Sequence, residues 1–144
     1  MRAVGIDLGS KRIGVAVSSG RLATPYEVVP RSGDRRRDHR AIAALVAEVE
    51  AEVVVVGMPL SLDGSEGPAA RRARAEVAEM AATLPVPVET YDERLTTVTA
   101  DRHLLAQGLR AEQRRRVVDK VAAAVLLQAW IDARPDDPPG RAPA

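Results

Sequence analysis

Four consecutive valines, Val53 to Val56, followed at once by Gly57, constrain this chain more than any other segment. A short β-branched run with no polar residue reads as a strand covered on both faces, as in a parallel sheet. Such a strand needs helices above and below it, and the flanking sequence supplies candidates. Ile42, Leu45, Val46 and Val49 recur at i, i+3, i+4 and i+7 in a predicted helix over 38–50. Ala70, Ala73, Val77, Met80 and Leu84 form the apolar stripe of a second, which Pro85 and Pro87 stop.

Upstream, residues 2–7 and 13–18 are apolar runs joined by Gly9-Ser10-Lys11, the pattern of a hairpin, and 26–29 reads as a third strand. Residues 86–91 read as the last strand. The remainder is helical: one segment begins at Thr96 or Thr97 and stops at Gly108, and another covers about 111–133. Between Val121 and Ile131 only Gln128 is polar, so that final helix is expected to be buried nearly all round. The order βββαβαβα predicts an α/β fold, a mixed five-stranded sheet with helices on both faces. With 144 residues and 46% hydrophobic content, one domain over 1–133 accounts for the chain, and the Pro-rich 134–144 is expected to be a disordered tail.

Composition excludes several chemistries. There is no cysteine, so thiolate metal sites, disulfides and cysteine nucleophiles are ruled out. The longest apolar run, 121–127, is far too short to span a membrane, and the chain is expected to be cytoplasmic. All but two of the 21 basic residues are arginine, clustered at Arg35 to Arg37, at Arg71, Arg72 and Arg74, and at Arg114 to Arg116. Arginine forks suit phosphates, but a net charge of only +1 argues for a basic surface local to a site and against a general polyanion coat. Tyr26, Tyr91 and Trp130 are the only aromatics, too few to stack a single strand, and Trp130 is placed in the core. A duplex or structured nucleic acid read through its backbone fits better. His39 and His103 fall on predicted helix surfaces and are assigned no role.

In open α/β sheets the site forms beyond the carboxyl ends of the parallel strands. Asp7 ends the first strand, Gly57 the valine strand and Asp92-Glu93 the last; Asp119 could join them only on a helix laid across the sheet. Clustered carboxylates repel one another unless a cation neutralises them, and Mg²⁺ and Mn²⁺ prefer such oxygen ligands. Two such ions about 3.5–4 Å apart activate a water and support the leaving oxygen in phosphodiester cleavage. Singly, each acid has an ordinary reading as a turn residue, an exposed strand end or a helix-start acid.

Taken together, Gly5-Ile6-Asp7-Leu8-Gly9 with Arg12-Ile13-Gly14-Val15-Ala16, Gly57-Met58-Pro59-Leu60 with Asp63-Gly64-Ser65, Asp92-Glu93-Arg94-Leu95-Thr96-Thr97, and Asp119-Lys120 with Ala122-Ala123 and Leu127-Gln128 resemble the YqgF/RuvX family. Its members are ribonuclease-H-like enzymes described as pre-16S rRNA nucleases and as Holliday junction resolvases. The resemblance covers about 1–133. It implies an RNase H-like fold, with Asp7, Glu93 and Asp119 as catalytic acids holding Mg²⁺ or Mn²⁺, two ions in all. Asp92 stays open as the alternative to Glu93, because neighbours on a strand face opposite ways. Lys11, Arg12, Arg94 and Arg114, Arg115 and Arg116 are candidates for flanking phosphates, as are backbone amides near Gly57 and from Ser61 to Ser65.

The function this implies is metal-dependent processing of the 5′ end of pre-16S rRNA during ribosome biogenesis. The alternatives are a Holliday junction resolvase in recombination and repair, and a nucleic-acid-binding ribosome-assembly factor that does not cut. Partners would be structured RNA or branched DNA, met by a monomer or a homodimer. Asp7-Leu8-Gly9-Ser10 also resembles the phosphate loop of actin-like kinases, but the chain is too short for the second lobe those enzymes close over a nucleotide.

Overall fold

A computed structural model of the chain describes residues 1–61, 63–95 and 111–134, without the side chains of 95 and 111–117. Five strands form one sheet: β1 (Ala3–Leu8), β2 (Arg12–Ser19), β3 (Leu22–Pro30), β4 (Val53–Met58) and β5 (Val88–Asp92). Their spatial order is β3-β2-β1-β4-β5. β1, β2 and β3 form an antiparallel meander, whereas β4 runs parallel to β1 and β5 parallel to β4. The helices are α1 (Arg35–Glu48), α2 (Pro68–Thr83) and α3 (Ala111–Asp132), and a single 3₁₀ turn, Glu93–Leu95, follows β5. The expected mixed sheet with helices on both faces is therefore what forms. The predicted helix between Thr96 and Gly108 and the tail beyond Arg134 lie outside the described residues.

Every residue of β4 is buried, because side chains alternate between two separate cores. Val54 and Val56 join Val4, Ile6, Ile13 and Val15 under Ile42 and Val46 of α1 and Met80 of α2. Val53 and Val55 join Ala3 and Ala16 under Ala123, Leu127, Trp130 and Ile131 of α3. Trp130 is thus a core residue, as expected. β3 is longer than the predicted 26–29 and carries a bulge opposite Val15/Ala16. The bulge and Pro25 sit on an edge strand, where a missing ladder bond is tolerated.

Helix α1 starts three residues before the expected Asp38, because the Asp34 carboxylate accepts hydrogen bonds from the Arg36 and Arg37 amides at 3.0 and 3.3 Å and caps it. The arginine tract therefore forms the first helical turn. His39, expected on the surface, is instead buried against α2. It shares a helical face with Ile42 and Val46, at i, i+3 and i+7, so the face turned inward extends one turn further towards the N-terminus than the aliphatic residues alone suggest.

Glycine lets α3 lie directly on the sheet. A Cβ placed on Gly5 of β1 would come within 2.7 Å of the Leu127 Cβ and 2.9 Å of the Ala123 carbonyl oxygen. A Cβ on Gly14 of β2 would overlap the carbonyl of Asp119. Since Asp7 pairs with Gly14 across β1 and β2, that contact sets Asp119 beside the end of β1. Gly14→Ala is expected to cost about 1–3 kcal/mol through overpacking against backbone that cannot swing aside. A lowered urea midpoint for the variant checks this, and an unchanged midpoint would contradict it.

Candidate active site

The carboxyl ends of β1, β4 and β5 open onto a cleft of about 830 Å³ whose lining includes Asp7, Glu93 and Asp119. All three acids come from the α3 side of the sheet. Asp7 follows Ala3 and Gly5 at period two on the face that α3 covers, and it is 6% exposed. Gly57 continues Val53 and Val55 on the same face. On β5, Tyr91 packs against α3, so Glu93, two residues on, follows that side and Asp92 the other.

Packing bears the alternation out. A Cβ on Gly57 would fall 2.7 Å from the Glu93 Oε1, so the bare glycine is the cradle across which Glu93 reaches the cleft. Asp92 is not part of the lining; both of its oxygens accept from the Arg94 Nε, at 3.0 and 2.9 Å. Those hydrogen bonds hold the Asp92 carboxyl below its ordinary value.

Asp119 accepts from the Arg12 Nε at 2.7 Å, a bond that joins the start of β2 to α3. Among the described residues, no three acids or histidines form a closed metal-holding group. The donor set nonetheless suits a hard divalent cation: it is all carboxylate oxygen, gathered in one cleft around a missing side chain at Gly57.

The other predicted residues divide. Lys11 lines the cleft, whereas Ser61, Ser65 and Arg94 do not. The amides of the loop before α2 are also occupied: Ser61 donates to the Ser65 carbonyl, Gly64 to the Ser61 carbonyl and Ser65 to the Asp63 carboxylate. Because α2 begins only at Pro68, these amides belong to a self-bonded loop that precedes the helix. Arg114, Arg115 and Arg116 belong to the first turns of α3, and their side chains lie outside the described residues.

Sequence reasoning missed a buried polar network beside the acids. Arg31, at the end of β3, donates to the Gly9 carbonyl at 2.7 Å and bidentately to Glu76 of α2 at 2.8 and 2.9 Å. His39 Nε2 lies 2.8 Å from the same Glu76 carboxylate. Arg31 so ties the turn after Asp7 to α2, and Glu76 ties α2 to α1. The available signal was position: Glu76 lies on the inward stripe between Ala73 and Met80, where an acid must have a partner.

Burial pushes the Glu76 carboxyl up, but hydrogen bonds from Arg31 and His39, and their charges, outweigh burial and hold it below its ordinary 4.5. A lowered folded value means that this contribution to stability is complete above pH 4.5 and is lost as pH falls through the folded value. Glu76→Gln should therefore cost about 1.5–3 kcal/mol at neutral pH. Its deficit against the wild type should shrink on acidification below pH 4.5; denaturant melts across pH test this, and a constant deficit would refute it.

The family model described as "RuvX: Holliday junction resolvase" matches residues 1–133. A protein of Mycobacterium sp. (strain KMS) is 50% identical over 137 residues, covering 92% of this chain and 80% of that protein. One from Anaeromyxobacter sp. (strain Fw109-5) is 48% identical, covering 93% and 98%, and one from Myxococcus xanthus 46%, covering 95% and 92%. All three are named "Putative pre-16S rRNA nuclease". Among solved structures, Thermus thermophilus RuvC in complex with a Holliday junction substrate superposes with a TM-score of 0.58 at 22% identity, covering 92% of this chain and 94% of that one. The likeness identifies the fold as RNase H-like.

Proposed function

The chain belongs to the RuvX family, a family of nucleases, and on that premise we propose that its cleft hydrolyses phosphodiester bonds with two divalent ions held by Asp7, Glu93 and Asp119. The observation that carries the reading is the convergence of these three acids, from two strand ends and a crossing helix, on one cleft beside Gly57. When bound, Mg²⁺ or Mn²⁺ would supply a water of lowered pKa and charge support for the departing oxygen.

The chain's own residues supply the rest. Asp7 stands near the end of a central strand and Glu93 opens the turn that follows β5. Arg12 holds Asp119 while no cation competes, and a carboxylate drawn to a metal ion would free that guanidinium for a phosphate next to the cut. Lys11 serves the same strand from the turn after Asp7. Arg94 extends the phosphate contacts beyond the cleft, and Arg114, Arg115 and Arg116 are candidates for the same role from the sequence alone.

The substrate we propose is pre-16S rRNA, processed in the cytoplasm; the names of the relatives at 46–50% identity support it. The family model's own description supports a four-way DNA junction as the second reading, one that calls for a dimer presenting two clefts. Cleavage of labelled precursor rRNA and of a four-way junction, side by side with Mn²⁺, separates them. Asp7→Asn is expected to lower cleavage at least about a thousandfold, as for loss of a principal electrostatic group, while binding is kept. Undiminished cleavage by that variant would sink the nuclease reading, and binding without cleavage by the wild type would favour an assembly factor.

A further inference from the structure

The cations of the cleft differ in whether an acid already answers their charge. Arg31 is committed to Glu76, and Arg35 pairs with Glu79 of α2. Lys11 and Arg72 line the same cleft, and neither has a hydrogen bond or ion pair to its side chain among the described residues. They come from different elements, the turn after β1 and the second turn of α2.

The wall that carries Arg72 suits a strand. Ala69, Arg72, Ala73 and Glu76 form one i, i+3, i+4, i+7 face of α2 that lines the cleft. Glu76 is neutralised by Arg31, and the two alanines project only methyl groups, so Arg72 is the one side chain of that face with charge to give. A strand laid in the cleft brings its phosphates between the acids at the strand ends and the α2 wall, where a cation without a partner can meet them.

We propose that Arg72 and Lys11 form a second phosphate subsite, taking a backbone phosphate of the bound strand other than the one that is cut. Arg35 can join by exchanging Glu79 for that phosphate. The proposal rests on the nuclease reading for its substrate, a nucleic-acid strand, but not on cleavage.

Fluorescence anisotropy of a labelled RNA hairpin in EDTA, titrated with salt, tests it. Arg72→Ala should weaken binding and lower the slope of log K against log[salt] by about one, the loss of a single phosphate contact. Arg71→Ala is the control, since Arg71 is exposed, donates to the Glu66 carbonyl and is absent from the cleft lining. It should leave the slope as in the wild type. Equal slopes for Arg72→Ala and the wild type, or equal losses for both variants, would overturn the subsite. Calorimetry with inorganic phosphate alone guards against a different source of the same chemistry. Saturable binding that needs Arg72, with an unchanged RNA slope, would assign the residue to a free phosphate and also overturn the proposal. An Arg72-dependent slope in a protein that never cleaves would leave the subsite standing and remove the nuclease reading.

Discussion

Helix α3 can reach the end of β1 only because two strands present no side chain where it crosses. Gly5 and Gly14 sit on the face it covers, and a methyl group at either would meet Leu127 and Ala123, or the backbone of Asp119. Neither glycine is needed for its backbone angles; each is needed for space. The close approach buries Leu127, Ala123 and Trp130 against Val53 and Val55, and it delivers an acid from far along the chain to within reach of Arg12. The second core and the third acid of the site thus depend on one contact between bare strand and helix.

The charges around the cleft are arranged in compensation. Asp119 is answered by Arg12, Asp92 by Arg94 and Glu76 by Arg31, so that acids near the strand ends are held by cations from neighbouring segments. Buried or half-buried acids of one sign would otherwise raise one another's pKa and resist folding. The Arg31, Glu76 and His39 network goes further, because it fastens the turn after Asp7 to both helices on the opposite face of the sheet. The strand that carries Asp7 is thus covered by α3 on one face, and the turn after it is held by this network on the other.

Much of this was legible in the chain. Val53 to Val56 specified a doubly covered strand, the order of elements specified a mixed sheet, and Asp7, Gly57 and Asp92-Glu93 each ended a strand at what would be a common end, which Asp119 could join only from a helix laid across the sheet. What sequence left open was which face each residue takes. Alternation separates Asp92 from Glu93 but does not say which of them shares a face with Asp7; the packing of Tyr91 on α3 and the gap at Gly57 put Glu93 there. His39 was misread and Glu76 passed over for a related reason: polar residues on an apolar stripe look exposed until the partner that satisfies them, here Arg31 from the end of a distant strand, is known. The loop at Ser61 to Ser65 read as a free amide cradle because its internal hydrogen bonds depend on the turn at Gly64, which adopts a φ of 87°.

The central claim is that the face covered by α3, and not its opposite, carries the metal ligands. Calorimetric titration of Mn²⁺ into the wild type, Glu93→Gln and Asp92→Asn tests it without reference to any substrate. Glu93→Gln should weaken Mn²⁺ binding by at least about tenfold, while Asp92→Asn, which only loosens Arg94, should bind as the wild type does. Loss of Mn²⁺ affinity in Asp92→Asn with wild-type affinity in Glu93→Gln would contradict the account.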